Sequence, residues 1–456
     1  MKKKIIIIII LVVIMSVSAC VPNSAPTLEP GKTIDPTLPG VKPTAFPSPP
    51  SEGVQSISSS KVRQPIESNP AEFSAIASQM NAFGMDLYQQ LSEQQSGNLF
   101  FSPYSISLAL SMTLTGAQGQ TEKEMANVLH YDLPQNSIHP QINGLDQSLY
   151  VVPEWLKDQE TSFQLNVANA LWGQSDYPFK TSFLDKLAEY YGAGMNLEDF
   201  KTSSEQARQS INDWVAQQTE DKIKDLIPQG ALNEMTRLVL TNAIYFNANW
   251  QEEFNKDLTA SEDFVVDETT TVPAEMMQLE HRFGYLKNED VQMVEIPYLN
   301  SRYSMVLAMP ISSDLSLFAQ NLSLEQLSQS IGEFKNGQII LKMPKFKFET
   351  SFSVSSTLQA LGMITPFSPE SADFSGMFEP GADPLFISNV IHKAFVAVDE
   401  KGTEAAAATA VIMEATSAQI EEEPVLLTFN HPFLFLIRDN ESGLILFMGN
   451  MTNPES

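Results

Sequence analysis

The chain has 456 residues, with 55 acidic against 27 basic side chains, a formal net charge of −28 and a single cysteine. That balance argues against a nucleic-acid binder and against a polyanion cofactor, because both need clustered Lys and Arg. One thiol, at position 20, excludes a disulfide-stapled fold and a cysteine nucleophile within the folded part.

The amino terminus opens with Met1-Lys-Lys-Lys4, runs apolar from Ile5 to Val13 and closes on Val17-Ser-Ala-Cys20. This is the layout of a secretory signal, and the apolar run is shorter than the roughly 20 residues that a membrane span needs. Cys20 follows Val-Ser-Ala as the acylated cysteine of a bacterial lipobox does. Residues 1–19 are therefore expected to leave as a signal peptide and Cys20 to carry a lipid, with ordinary secretion as the alternative. The mature chain is expected as a monomer tethered on the outer side of the cell membrane. Residues 20–71 are rich in Pro, Ser, Thr and Gly, have too little apolar material to offset the entropy of ordering, and read as a disordered, extended linker.

Residues 72–456 contain no second linker and no fixed-period repeat, and read as one large domain. Residues 73–95 are amphipathic. Ser102-Pro103 opens a second helix with a cap and a first-turn proline, and its Ile106, Leu108, Leu110 and Met112 leave it apolar on nearly every face, so it is expected inside the domain. Residues 210–226 carry helical periodicity, and 237–246 read as a strand buried on both faces. Further strands are expected at 304–309, 338–343, 385–390, 393–399, 433–437 and 444–449, which makes the class α+β with large, mainly antiparallel sheets. Lys342, Lys345 and Lys347 read as a solvated strand face. No nucleophile elbow, phosphate loop or His-Glu-x-x-His occurs, and the five histidines show no metal-ligand spacing, so no enzyme activity, metal or cofactor is expected.

Several blocks together resemble the serpins. They are Asn98-Leu-Phe-Phe-Ser-Pro-Tyr-Ser-Ile106 with Gly116-Ala117 and Gly119, Ile211-Asn-Asp-Trp-Val215 leading to Lys222-Ile-Lys-Asp-Leu-Ile227, and Leu238-Val-Leu-Thr-Asn-Ala-Ile-Tyr-Phe246 with Trp250. Met343-Pro-Lys-Phe346, Ile391-His-Lys-Ala394, Glu400-Lys-Gly-Thr-Glu-Ala-Ala406 and Asn430-His-Pro-Phe433 through Phe447-Met-Gly449 complete the set, spanning residues 72–454 in the family's order. Two departures, Asp221 for the usual glycine before Lys222 and Asn247-Ala-Asn249 for a Lys-Gly turn before Trp250, fall in expected turns. The resemblance implies three β-sheets, eight or nine helices and an exposed carboxyl-terminal reactive loop. In inhibitory members a protease cuts that loop, which inserts as a new strand in the largest sheet and carries the acylated enzyme with it.

The residues of the loop can test that implication. Residues 399–418 hold four consecutive alanines, a pattern that a surface helix would explain, but β-branched Thr409, Val411 and Ile412 and the neighbouring Gly402 fit a helix poorly. Read as a strand, Thr403, Ala405, Ala407, Thr409, Val411 and Met413 share one face, while Glu404, Ala406, Ala408, Ala410, Ile412 and Glu414 share the other. Every charge falls in the second set, so the first can face a core. The hinge is expected at Glu400, Gly402, Thr403, Glu404, Ala405, Ala406, Ala407 and Ala408, with Gly402 free to change backbone conformation.

Counting inclusively from Glu400, the seventeenth residue is Thr416, so the resemblance places the scissile bond at Thr416-Ser417, give or take a residue or two. No Lys or Arg lies between Lys401 and Arg438, which disfavours trypsin-like enzymes. Elastase-like or subtilisin-like serine proteases are the expected partners, a glutamyl-specific enzyme at Glu414 is a weaker option, and papain-like enzymes stay open. The resemblance also implies a polar latch of Ser102, Ser105, Asn242 and His392 beneath the sheet, and Trp250 where the loop starts into it. Core packing is the competing reading for His392 and Trp250. A non-inhibitory serpin is the rival function.

Overall fold

A computed structural model of the chain describes residues 55–66, 70–95, 97–151, 164–299, 301–311, 314–403 and 423–455. The first part supplies β1 (Gln55–Ile57), α1 (Pro70–Gln94), β2 (Leu99–Phe101), α2 (Pro103–Leu114), α3 (Gly119–Val128) and α4 (Gln135–Ser148). There follow β3 (Gln164–Gln174), α5 (Thr181–Tyr191), β4 (Met195–Glu198), α6 (Phe200–Gln218) and β5 (Leu238–Asn249). The middle is a run of strands, β6 (Ala260–Val265), β7 (Thr271–Lys287), β8 (Val291–Pro297) and β9 (Tyr303–Pro310), closed by α7 (Leu315–Asn321) and α8 (Leu324–Gly332). The last part holds β10 (Lys335–Pro344), β11 (Phe346–Ser353), α9 (Ser355–Ala360), β12 (Asn389–Asp399), β13 (Gly402–Thr403), β14 (Val425–Thr428), β15 (Phe433–Asp439) and β16 (Ile445–Met451).

Seven strands form one sheet in the order β1-β4-β3-β5-β13-β12-β11. Nine form the other, in which β7 pairs with β6 and β10 along much of its length and with β8 at its end. Two of the three expected sheets thus share β7, and their hydrogen bonding runs through it without a break. Helix α2 lies between the sheets, against β3 and β5 on one side and β16 on the other. All twelve of its residues are buried, as its all-round apolar sequence requires, and Ser102 caps it by accepting from the Ser105 amide. Strand β5 is buried at every position, because α2 covers one face and α6 with the segment after it covers the other.

Four expectations need correction. The helix placed at residues 210–226 begins at Phe200, where Asp199 caps it by accepting from the Thr202 amide, and ends at Gln218. Beyond it Thr219 turns its hydroxyl back to Val215, and Glu220, Asp221 and Asp225 take positive φ, which breaks the helix. The strand expected at 385–390 starts only at Asn389, since Ile387 and Ser388 donate to Pro366 and Leu238 outside any ladder. Asn247-Ala-Asn249 is the end of β5 and not a turn. Residues 55–66, assigned to the linker, are docked: β1 pairs antiparallel with β4, and Arg63 forms an ion pair with the fully buried Asp146.

Asp221, in place of a glycine, sits at φ 62°. The left-handed region costs a β-carbon roughly 1 kcal/mol, and the exposed ion pair from Asp221 to Lys224 at 3.4 Å offsets little of it. Asp221→Gly is expected to raise stability by up to about 1 kcal/mol in urea unfolding; a clear loss would mean that the carboxylate has a role the geometry does not show.

Candidate functional site

The site is the seam between β5 and β12. These strands run parallel and pair from Val239–Asn389 to Ile244–Ala394. At the other end of the seam β13 lies between them, Gly402 opposite Asn249 and Asp399, Thr403 opposite Ala248 and Val398, antiparallel to both. The seam is zipped at one end and wedged at the other.

Side chains explain why the wedge stays in place. Thr403 is 1% exposed and its hydroxyl lies 2.7 Å from that of Tyr298. The Tyr298 ring stacks on Trp250 with centroids 4.6 Å apart. Trp250 in turn holds the preceding chain: its indole N–H donates to the Asp399 carbonyl at 3.0 Å and its amide to the Lys401 carbonyl at 2.8 Å. Gly402 packs so closely that a β-carbon would collide with the Ala248 carbonyl oxygen and sit 2.7 Å from Asn249 Cα. Its glycine identity is therefore demanded here by close approach of two backbones, over and above any freedom to swing.

Glu400 anchors the wedge from outside the seam. Its carboxylate meets Lys345 Nζ at 2.9 Å and accepts from Thr259 Oγ1 at 2.9 Å, while its carbonyl accepts from the Phe254 amide at 2.8 Å. Burial pushes the Glu400 carboxyl up, but the Lys345 ammonium and the Thr259 hydroxyl outweigh it and hold the group below the usual carboxylate range. The lysines read as a solvated face are engaged: Lys342 pairs with Glu262 at 2.6 Å, Lys345 with Glu400, and Lys347 lies over the Phe395 ring.

At the zipped end, Ser102, Ser105, Asn242 and His392 are brought together and fully buried. The Ser102 amide donates to His392 Nε2 at 3.2 Å, and His392 Nδ1 donates to Asn242 Oδ1. Because an amide oxygen only accepts, the ring is neutral with its proton on Nδ1, and both nitrogens are used. Asn242 Nδ2 donates to Ser105 Oγ and to Asn169 Oδ1, each at 2.7 Å, and Ser105 Oγ donates to Asn169 Oδ1 at 2.8 Å. The bond from His392 to Asn242 thus ties β12 to β5 through side chains as well as backbone. His392 is a core histidine with both ring nitrogens satisfied, and one of its bonds bridges the two strands.

A profile of the Serpin (serine protease inhibitor) family matches residues 78–454. The chain belongs to the serpin family. Similar relatives include the leukocyte elastase inhibitor of Xenopus tropicalis, 37% identical over 387 residues that cover 83% of this chain and 99% of that one. An uncharacterized serpin-like protein of Methanosarcina acetivorans is 35% identical over 389 residues, covering 83% and 88%. Among solved structures, maspin matches with a TM-score of 0.75 at 28% identity, covering 84% of this chain and 100% of that one. Human thyroxine-binding globulin matches at 0.74 and 28%, covering 84% and 99%.

In this serpin Glu400, Gly402, Thr403 and Trp250 lie at the wedged end of the seam, and Ser102, Ser105, Asn242 and His392 lie at its zipped end. Glu404, Ala405, Ala406, Ala407, Ala408, Thr416, Ser417 and Cys20 lie outside the described residues. Sequence reasoning missed Asn169 of the latch, and also Tyr298, Lys345 and Thr259. Asn169 carries a readable signal, a lone amide within the apolar stretch Val167-Ala-Asn-Ala-Leu-Trp172, but that strand was not recognised.

Burial holds both His392 and His139 down at about 3. The unfolded chain binds those protons near 6.5 and the native state does not, so stability is fully present above about 6.5 and is lost as pH falls toward 3. Between pH 6.5 and 5, before ordinary carboxylates titrate, each histidine is expected to remove about 1.4 kcal/mol per unit once below its unfolded value. Urea unfolding at stepped pH checks this: His392→Gln should flatten the slope by one proton, and an unchanged slope would show that His392 is charged in the native state.

Proposed function

We propose that this serpin is a suicide inhibitor of serine endopeptidases with small or apolar primary pockets, elastase-like or subtilisin-like. The enzyme's serine oxygen attacks the Thr416 carbonyl, the amine of Ser417 leaves, and the resulting ester is carried away as the freed loop enters the seam.

The observation that carries this reading is the register of β13. Thr403 pairs with Ala248 and Val398, and those two residues have the same offset as Ile244 and Ala394 lower in the seam. A strand continuing from Thr403 therefore finds matched partners on both sides all the way down. Each step along the loop is one step back along β5 and β12, so Thr409 arrives between Asn242 and His392 and Met413 reaches Leu238, the first residue of β5. Thr403 already faces the core, which sends Ala405, Ala407, Thr409, Val411 and Met413 inward and Glu404 and Glu414 outward. A threonine hydroxyl suits the site where the side-chain bond of His392 to Asn242 must part. The twelve positions of β5 take up Gly402 to Met413, leaving Thr416 just past the end, so the bound enzyme would travel roughly 40 Å.

The names of relatives support the target class, since several are leukocyte elastase inhibitors. The same reading holds the domain outside the cytoplasmic membrane through a lipid on Cys20. The test is a panel of elastase-like, subtilisin-like, glutamyl-specific, papain-like and trypsin-like enzymes, scored for denaturant-resistant adducts of about the summed mass. Adducts with the first two classes and none with the trypsin-like class are expected. Cleavage with turnover on every enzyme would instead favour a serpin that binds without trapping, a reading that the solved thyroxine complex of a structural neighbour keeps in view.

A further inference from the structure

Residues 55–66 sit on one of the two halves of the seven-stranded sheet that must part if the seam opens. That half is β1-β4-β3-β5, and its counterpart is β12-β11. Strand β1 pairs with β4 from Gln55–Leu197 to Ile57–Met195. The next residues cross helix α5, where Ser59 Oγ donates to Asp185 and the Gln64 amide donates to the Glu189 carbonyl at 2.8 Å. The segment then reaches α4, which packs mainly on α1, a helix that lies against β16 of the other sheet, and also touches α2, which lies between the two sheets.

The contact with α4 is built into the core. Arg63 Nε donates to Asn143 Oδ1 at 2.7 Å, and Arg63 Nη2 pairs with Asp146, whose side chain is fully buried and also accepts from the Tyr104 hydroxyl. Asn143 Nδ2 and Gln147 Nε2 both donate to the Gln64 carbonyl, at 3.0 and 2.8 Å. Two glycines make room for the segment: a β-carbon at Gly194 would lie 2.7 Å from the Ile57 carbonyl oxygen, and one at Gly192, which has φ 64°, would lie 3.1 Å from Arg63 Cδ. A buried carboxylate whose cation arrives from the amino-terminal segment is stable only while that segment is docked.

We propose that residues 55–66 form a clasp that restrains opening of the seam between β5 and β12, with Arg63 as its pin. The clasp joins the outer edge of this half-sheet to a helix that is tied through α1 to the other sheet, so the half-sheet cannot shift as a body without straining or releasing it. This rests on the reading that the seam opens to admit the loop, but its consequence for the seam can be measured without any protease. The clasp would also make the inhibitor's readiness depend on whatever holds, pulls or cuts the chain just ahead of the domain.

The experiment is hydrogen exchange on the full mature chain, comparing wild type with Arg63→Ala, the double variant Arg63→Ala/Asp146→Asn, and Gly194→Ala. Arg63→Ala is expected to lower the melting temperature and to speed exchange about tenfold at amides 239–244 and 389–394, on the third and fourth strands across from β1. The double variant leaves no buried carboxylate unpaired, so it should recover melting temperature while exchange at the seam stays fast. Gly194→Ala, which dislodges β1 and leaves the buried charge pair intact, should speed the same amides and serves as the reporter if Arg63→Ala does not fold. Exchange altered only at 181–198, or a double variant whose seam returns to wild-type protection, would overturn the clasp. A seam that responds in a protein forming no adduct with any protease would sink the inhibitor reading and leave the clasp standing.

Discussion

Thr403→Arg is expected to turn the inhibitor into a substrate. The loop should still be cut, but denaturant-resistant adduct should fall by more than about a hundredfold, with free active enzyme returned. The threonine hydroxyl contacts Tyr298 in a pocket that is closed to solvent and floored by the stacked ring of Trp250. Among the described residues that line it, no carboxylate is placed to receive a guanidinium, so an inserted arginine would be a buried, unpaired charge costing several kcal/mol. In the proposed mechanism loop insertion races deacylation, and each 1.4 kcal/mol added to the insertion barrier shifts that race about tenfold toward hydrolysis. The native body should survive, because Gly402 and the arginine can withdraw to the surface. Thr403→Val, which keeps shape and loses only one hydrogen bond, should retain most adduct. Gel quantitation of adduct against cut product decides the matter, and a Thr403→Arg protein that traps as well as wild type would show that this position does not face the core in the trapped state.

Nicking the loop with a protease too short-lived to be trapped, or with a non-target enzyme, should raise thermal stability well beyond that of the intact chain. Residues Glu404 to Met413 would gain backbone partners on both sides, as Gly402 and Thr403 already have, and at about 1 kcal/mol net for each buried hydrogen bond the gain outweighs the loss of pairing between Val239–Ile244 and Asn389–Ala394. Scanning calorimetry on intact and nicked protein at pH 7.5 measures it. Equal melting temperatures would remove the energetic basis of the trap, whatever the loop sequence looks like.

How far the sequence foretold the structure depends on what kind of signal each part carries. The all-buried α2 and β5 were legible because nothing but burial explains Ile106 to Met112 or the run from Leu238 to Phe246. The latch and Trp250 came from family blocks, and the geometry then gave the histidine its tautomer and the tryptophan its two backbone acceptors. Thr403 was legible from the family's hinge block together with the alternation, as the first member of the uncharged set. What stayed hidden was pairing between distant segments. Lys345 looks like any strand lysine until Glu400 is beside it, and Tyr298 has no local mark that it will meet Thr403. The amino-terminal clasp was hidden for the opposite reason: a composition typical of a spacer says nothing of one arginine that fits a buried aspartate eighty-three residues further on.

Two residues of β13 in place between β5 and β12 also have a kinetic meaning. Starting an ordered segment is the unfavourable event in building regular structure, since several dihedral angles are fixed before any bond rewards them, whereas extending one adds a partner for every residue fixed. In the insertion proposed above, the start is complete before any enzyme arrives, and only propagation remains. The trap should therefore behave as a zip-fastener whose slider is already on the track, with a closing rate governed by how fast Asn242 lets go of His392.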